Sequence, residues 1–251
     1  MPFGLEVPIE EESACPYLPG RQARYRAVSV EALPPNAYHS FMDAGFRRSG
    51  HVLYQPVCRG CRSCVPLRVA SRGFVASATQ RRCLRRNADL RVVVDLPLVT
   101  EEKLDLYNRY STVWHGGATL TLAGLEESLY ESCVETIEFT YRAPDGELLA
   151  VGLCDVAPKS LSSVYFYFAP ESAARGLGTY GVLRELDYAA QNLIPDYYLG
   201  YWIADCDSMR YKSNYGPHEF LGLDGRWGPA LVTLAQGGYP SEPPDRPLQP
   251  T

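Results

Sequence analysis

A chain of 251 residues, 46% apolar and 21% charged, can bury a substantial core as one large or two small domains, which excludes a disordered protein. It has no apolar run of about eighteen residues, and Glu10, Glu11 and Glu12 stand where a secretory leader needs a basic start, so a cytoplasmic protein without membrane contact is expected. The formal charge of −5 conceals an asymmetry: residues 21–91 carry fourteen arginines against three acids, and the remainder carries ten basic and 26 acidic residues.

That basic first third suits a polyanion, because guanidinium groups bind phosphate in bidentate fashion. The plainer alternative is a solvated set of arginines balancing the acidic half. Residues 1–14 read as an acidic, unpatterned arm. CPYLPGR follows at 15–21, and Pro34-Pro35 opens a predicted helix that runs through Ala44 to Gly45. Arg47 and Arg48 lie in a Gly-bounded turn that leads into a short strand at 51–54.

Cys58, Cys61 and Cys64 are spaced so that three thiols can converge on one ion or cluster, with Cys15 as a distant fourth. The uninterrupted CxxCxxC run is nearer to an iron–sulfur pattern than to zinc, and reduced thiols in a tight loop are the alternative. Cys83, Cys133, Cys154 and Cys206 read as small core hydrophobes. Strand-like residues 65–69 precede a predicted helix at 79–87. Arg81, Arg82, Arg85 and Arg86 share one of its faces, and Asn87 ends it. Such a face neutralises phosphates without reading bases.

Further predicted elements are a strand at 91–96, a helix from the Thr100 cap to Trp114 closed by His115-Gly116-Gly117, and a helix at 125–135. A hairpin comprises strands at 137–142 and 148–156 about Asp145-Gly146. The segment 161–212 then reads strand, Gly-rich turn, helix, strand. Its turn, Arg175-Gly176-Leu177-Gly178-Thr179, presents free N–H groups suited to an oxyanion or a phosphate. A short helix after Asp205 brings Lys212 and Tyr215 back toward that turn, a last strand spans 220–227, and the tail is Pro-rich.

CPYLPGR, GFRRSG followed by Tyr54 and Pro56, the Cys58 to Pro66 segment, TQRRCLRRN, YFYFAP, RGLGTY, YYLGYWI and MRYKSNYGPHE resemble, in this order, the aminoacyl-tRNA–protein transferases. The likeness is greatest to the bacterial aspartate/glutamate leucyltransferases, relatives of the arginyltransferases. It implies an α+β, GNAT-like acyltransferase fold, a mixed sheet in which two parallel strands splay apart, plus a smaller cysteine- and arginine-rich N-terminal domain. The expected divisions are 1–95, 96–235 and a tail at 236–251. The implied reaction moves leucine from leucyl-tRNA to the N-terminal Asp or Glu of a protein, as a degradation signal. Three positions depart from the family pattern: Gly176 replaces a serine, Trp114 precedes His115 in place of an arginine, and Leu18 replaces a second cysteine.

Aminolysis of an ester needs positioning and oxyanion stabilisation, with no covalent nucleophile and no cofactor. Backbone N–H groups at Gly176, Leu177, Gly178 and Thr179 are the expected oxyanion donors. Asp205, Glu219, Tyr165, Tyr167 and Tyr201 are the candidate proton acceptors. Arg47 and Arg48 with Tyr54, or else Arg175 or Lys212, are expected to hold the acceptor's carboxylate, and Tyr165, Tyr167 and Tyr215 to line the substrate pocket. Arg81, Arg82, Arg85, Arg86 and Asn87 are the expected tRNA face; Cys15, Cys58, Cys61 and Cys64 are the expected metal or cluster ligands. Arginine as donor, an acyl-CoA-dependent transferase and a non-enzymatic metal-containing RNA-binding module remain as alternatives.

Overall fold

The computed structural model describes residues 7–117, 119–222 and 224–229; the expected tail at 236–251 lies outside them. Strands β1 (Ser13–Ala14) and β2 (Gln22–Ala23) pair antiparallel around the Cys15 loop. β3 (Tyr25–Ser29) is followed by helix α1 (Pro35–Asp43), which starts on Pro35, a residue preset for a first helical turn. β4 (Arg47–Ser49) and β5 (Val52–Pro56) complete a three-stranded antiparallel sheet ordered β3-β5-β4.

β6 (Val65–Ala70) leads to α2 (Ala78–Arg86), whose start is fixed by reciprocal bonds: Gln80 N–H donates to Ser77 Oγ and Ser77 N–H to Gln80 Oε1. β7 (Arg91–Asp95) and α3 (Glu101–His115) follow, the helix capped by the Thr100 hydroxyl and closed by left-handed Gly116. The sequence predicts a helix at 125–135. Instead Thr121 caps α4 (Leu122–Leu125), which widens into a π turn over Glu126–Tyr130 and ends at extended Glu131.

β8 (Thr136–Arg142), β9 (Leu148–Ala157) and β10 (Ser160–Phe168) form a meander, and α5 (Leu177–Gln191) crosses over to β11 (Asp196–Trp202). After α6 (Asp207–Arg210), the predicted single strand at 220–227 is a hairpin of β12 (His218–Leu221) and β13 (Trp227–Gly228), because the backbone turns at Gly225. The large mixed sheet is ordered β13-β12-β6-β11-β10-β9-β8-β7. β6 and β7 belong to it, so the expected division at 95 and 96 falls within this sheet.

Side chains alternate faces along a strand, and the two cores follow that alternation. Cys154, Tyr197, Leu183 and Leu186 share one core, under α5. Tyr198 and Ala157 join Tyr38, Phe41, Met42 and Leu53 in a second core, beneath α1 and the small sheet. Burying each leucine contributes about 1.5–3 kcal/mol. None of the described helices is long and apolar enough to cross a membrane.

A buried charge knot ties the second core together. Asp155, fully buried, accepts from Arg48 Nε and Nη2 at 2.7 Å each, from Tyr38 Oη at 2.7 Å and from Thr136 Oγ1 at 2.8 Å. Removing the carboxylate strands a buried guanidinium. Asp155→Ala should therefore lower the unfolding free energy by about 3–5 kcal/mol, against about 1 kcal/mol for Thr136→Val. Urea denaturation of both variants measures this, and equally small losses would contradict the knot's role.

Candidate active site

β10 and β11 are parallel, and they pair only at Ser160 with Asp196, Leu161 with Tyr197, and Ser162 with Tyr198. Beyond that point both strands shift register against their other neighbours, β10 between Ser163 and Tyr165 and β11 between Tyr198 and Gly200. A gap opens, and the parting strands leave carbonyls without partners. Arg47 of β4 fills the role: Nη1 donates to Ser162 Oγ at 2.8 Å and to the Tyr198 carbonyl at 3.4 Å, and Nη2 donates to the Ser163 carbonyl.

Lys212 comes from the turn Tyr211–Asn214, and its Nζ donates to the Tyr201 carbonyl at 3.1 Å. Gly200 has a φ of +93°, and a Cβ there would lie 3.2 Å from Lys212 Nζ and 3.6 Å from Arg47 Cζ. Only glycine satisfies both that backbone and that crowding. Burial, reinforced by the Arg47 charge, pulls the Lys212 ammonium down to about 7. Among the described residues no carboxylate forms a salt bridge with either cation. Two facing cations without an acid make a site for a carboxylate. Tyr201 donates to the Gly45 and Tyr54 carbonyls at 3.0 and 3.3 Å, and Tyr54 packs against it with ring centroids 6.3 Å apart.

The Gly-rich turn lies a few residues along. Gly176, at φ +70°, sends the chain into α5 without a side-chain cap, which leaves the first-turn N–H groups of the helix available. A cavity of about 330 Å³ lies in front of it, lined by Thr79, Arg82, Cys83, Arg86, Gly176 and Thr179. The expected RNA face and the expected oxyanion turn thus meet in one cavity. Arg81 and Arg85 lie on the same short helix, exposed. Gln80 Nε2 donates to the Asn214 carbonyl at 3.1 Å, so the turn that carries Lys212 is tied to α2 beside the cavity.

Other expected residues have different surroundings. Arg48 belongs to the Asp155 knot, where the carboxylate takes up its guanidinium. Asn87, expected on the RNA face, is fully buried: its Nδ2 donates to the Cys83 and Arg175 carbonyls, and its Oδ1 accepts from Arg175 Nε at 3.0 Å. Arg175 also pairs with Asp89, and so braces α2 against the turn. Asp205 is exposed beyond β11, and Glu219 is paired with Arg68. Burial keeps the phenols of Tyr165, Tyr167 and Tyr201 well above their ordinary pKa, which removes them as phenolate bases. Tyr165 packs with Tyr107 on α3, and the Tyr167 hydroxyl meets that of Tyr130 at 2.8 Å.

Glu185, within α5, is absent from the site residues expected from the sequence. The signal was a second stripe: Val182, Glu185, Leu186 and Ala189 recur at helical spacing, and all are buried.

The four N-terminal cysteines gather at the other end of the small sheet. Burial and then the neighbouring Cys58, Cys15 and Cys61 push the Cys64 thiol up to about 12. Backbone N–H groups of Leu18 and Arg24 donate to Cys15 and Cys58 sulfurs at 3.4 Å, as they do to bound thiolates. The donor types suit a soft metal or cluster, but no three of them converge as a ligand set among the described residues. Of the remaining cysteines, Cys83, Cys133 and Cys154 are buried, and Cys206 is half-buried.

Comparison with known proteins matches this arrangement to a family. Profiles described as the N terminus and the C terminus of arginine-tRNA-protein transferase match residues 13–82 and 102–222. A protein from Pseudomonas putida (strain GB-1) named aspartate/glutamate leucyltransferase is 35% identical over 227 residues, 89% of this chain and 96% of its own length. One of the same name from Halorhodospira halophila is 40% identical over 217 residues, covering 84% and 91%. Among solved structures, FemX aligns with a TM-score of 0.45 at 11% identity, over 73% of this chain and 64% of its own. L-PGS from Bacillus licheniformis aligns at 0.40 and 15%, over 67% and 51%. On the sequence matches, this chain is an enzyme of the arginine-tRNA-protein transferase family.

Proposed function

We propose that the enzyme transfers leucine from leucyl-tRNA to the N-terminal amino group of proteins that begin with Asp or Glu, marking them for degradation in the cytoplasm. The geometric observation that carries the donor is the single cavity shared by Arg82, Arg86 and the Gly176–Thr179 turn. Leucine and the acidic acceptors rest on the names of the relatives.

In this reading Arg82 and Arg86, extended by Arg81 and Arg85, hold phosphates at the tRNA's acceptor end, and Tyr215 and Tyr165 flank its terminal adenosine. The first-turn N–H groups of α5 stabilise the tetrahedral oxyanion. Arg47 and Lys212, with Tyr54 beside them, hold the acceptor's side-chain carboxylate at the gap. That places the α-amine, whose reference pKa is about 7.7–8.0, against the ester carbon. The amine attacks, the ester C–O bond breaks, and the ribose hydroxyl leaves. No step requires a cofactor. We read the four cysteines as a site for an iron–sulfur cluster or zinc that stands outside the transfer chemistry. The parted parallel strands support a GNAT-like acyltransferase fold.

Incubated with leucyl-tRNA, an Asp- or Glu-initiated peptide should gain the mass of one leucine residue, and an Ala-initiated peptide should gain none. Gain of arginine instead, from arginyl-tRNA, would reassign the donor. Lys212→Gln should raise KM for the acidic peptide roughly tenfold to a hundredfold and leave KM for tRNA unchanged. Replacing both Arg82 and Arg86 by Gln should weaken tRNA binding and flatten the log–log salt dependence by roughly 1.5. An unaltered slope in a filter-binding titration would move the RNA face elsewhere.

A further inference from the structure

The reaction just described, on which this inference rests, must dispose of a proton. The acceptor arrives largely as an ammonium ion. It gives up one proton before attack and a second from the tetrahedral adduct; the second goes to the departing ribose oxygen, and the first needs an acceptor. Arg47 keeps its proton, and Lys212, though drawn down to about 7, is held as an ammonium by the acceptor's carboxylate once that is bound; Asp205 is exposed, Glu219 is paired with Arg68, and the nearby tyrosines are held as neutral phenols.

Asp155, the register partner of Ser162, is taken up by Arg48, and among the described residues Glu185 is a further carboxyl beside the gap. Glu185 is 1% exposed, on the α5 face of the sheet. Tyr197 donates to its Oε2, while Oε1 is buried without a completed hydrogen bond. A glycine keeps the space beside it: a Cβ at Gly152 would stand 3.0 Å from Oε1. A carboxylate oxygen that is buried without a hydrogen-bond partner is costly for a fold that gains nothing from it.

Ser163 connects this carboxyl to the gap. It lies at the point where β10 leaves β11, and its carbonyl already receives Arg47. Ser162 turns its hydroxyl to Arg47, so by strand alternation Ser163 turns its own to the other face, close enough to Glu185 to favour the carboxylate. We propose that Glu185 is a positioning residue for the transfer, drawing through the Ser163 hydroxyl the proton that the incoming amine must lose. Ser163 passes one proton to the carboxylate as it accepts one from the amine, and returns to its starting state.

The titration fits this task. Burial lifts the carboxyl to about 7, while Tyr197, Ser163 and Cys154 pull the other way. Tyr141, Tyr211 and Tyr215 face it from the remaining elements, and no cation is among the groups that set its pKa. A carboxyl whose folded pKa lies above its unfolded value stabilises the fold below about 4.5, and that contribution is lost as pH rises through 7. At pH 8 the wild type therefore carries a buried charge that glutamine would remove.

The test is single-turnover leucine transfer by the full chain at saturating acidic peptide, from pH 6 to 9, with melting temperatures alongside. Wild-type rates should rise with a midpoint near 7. In Glu185→Gln, which keeps an oxygen for Tyr197, the rate at pH 8 should fall roughly a hundredfold. The midpoint near 7 should vanish, KM for the peptide should hold, and the melting temperature at pH 8 should rise by about 5 °C. Should that variant misfold, Ser163→Ala, which retains the carbonyl for Arg47, must lose the same midpoint. Slower transfer with an intact midpoint and a lower melting temperature would make Glu185 merely structural and overturn the inference. A wild type that transfers leucine while both variants keep its profile overturns it alone. A wild type inactive on leucyl-tRNA sinks the proposed function, and the inference with it.

Discussion

Three residues of parallel pairing between β10 and β11, and then none, is the constraint on which the rest of the molecule depends. Strands that part inside a sheet leave amides and carbonyls facing nothing, and each unsatisfied group costs about 1–3 kcal/mol. The fold answers with side chains. Arg47 takes the Ser163 and Tyr198 carbonyls, and Lys212 takes that of Tyr201. The groups that repair the backbone are cations, so repair of the sheet also creates an anion site. Gly200 permits both cations to stand at the same place.

This explains why the N-terminal third cannot be a loose accessory. Arg47 reaches the gap from β4, Arg48 on the next residue anchors that strand to Asp155 of β9, and β6 is itself a strand of the large sheet. The surplus of arginine in residues 21–91 has at least two functions. Arg47, Arg48 and Arg68 are held inside by carbonyls and carboxylates, whereas Arg81, Arg82, Arg85 and Arg86 on α2 are exposed. Only the second group is free to meet a polyanion.

Much of the architecture was legible because it is written locally. The Pro35 start of α1, the Thr100 cap of α3, the Asp145-Gly146 turn and the strand–turn–helix–strand unit all follow from neighbouring residues. What was illegible depends on partners distant in sequence. Nothing near Arg48 announces Asp155, 107 residues on, and nothing near Asn87 announces the Arg175 carbonyl. A pair of arginines in a Gly-bounded turn therefore reads as two ligands for one anion, whereas the strand sends the two side chains to opposite duties. Glu185 is hidden for a different reason. A glutamate within a helix reads as surface unless its stripe is checked residue by residue.

The two cations also set the chemical difficulty of the site. They help an acidic acceptor to bind and lower the proton affinity of the amine beside them, yet while they hold its carboxylate neither is free to carry the proton away. The polarity of the gap thus calls for a proton acceptor out of direct contact with the cations, since a carboxylate in contact would neutralise them and compete with the acceptor's own. A carboxyl on the opposite face of the sheet, reached through one serine where the strands separate, meets both conditions. Its cost falls on stability at neutral pH, the kind of local expense that folds tolerate where chemistry requires it.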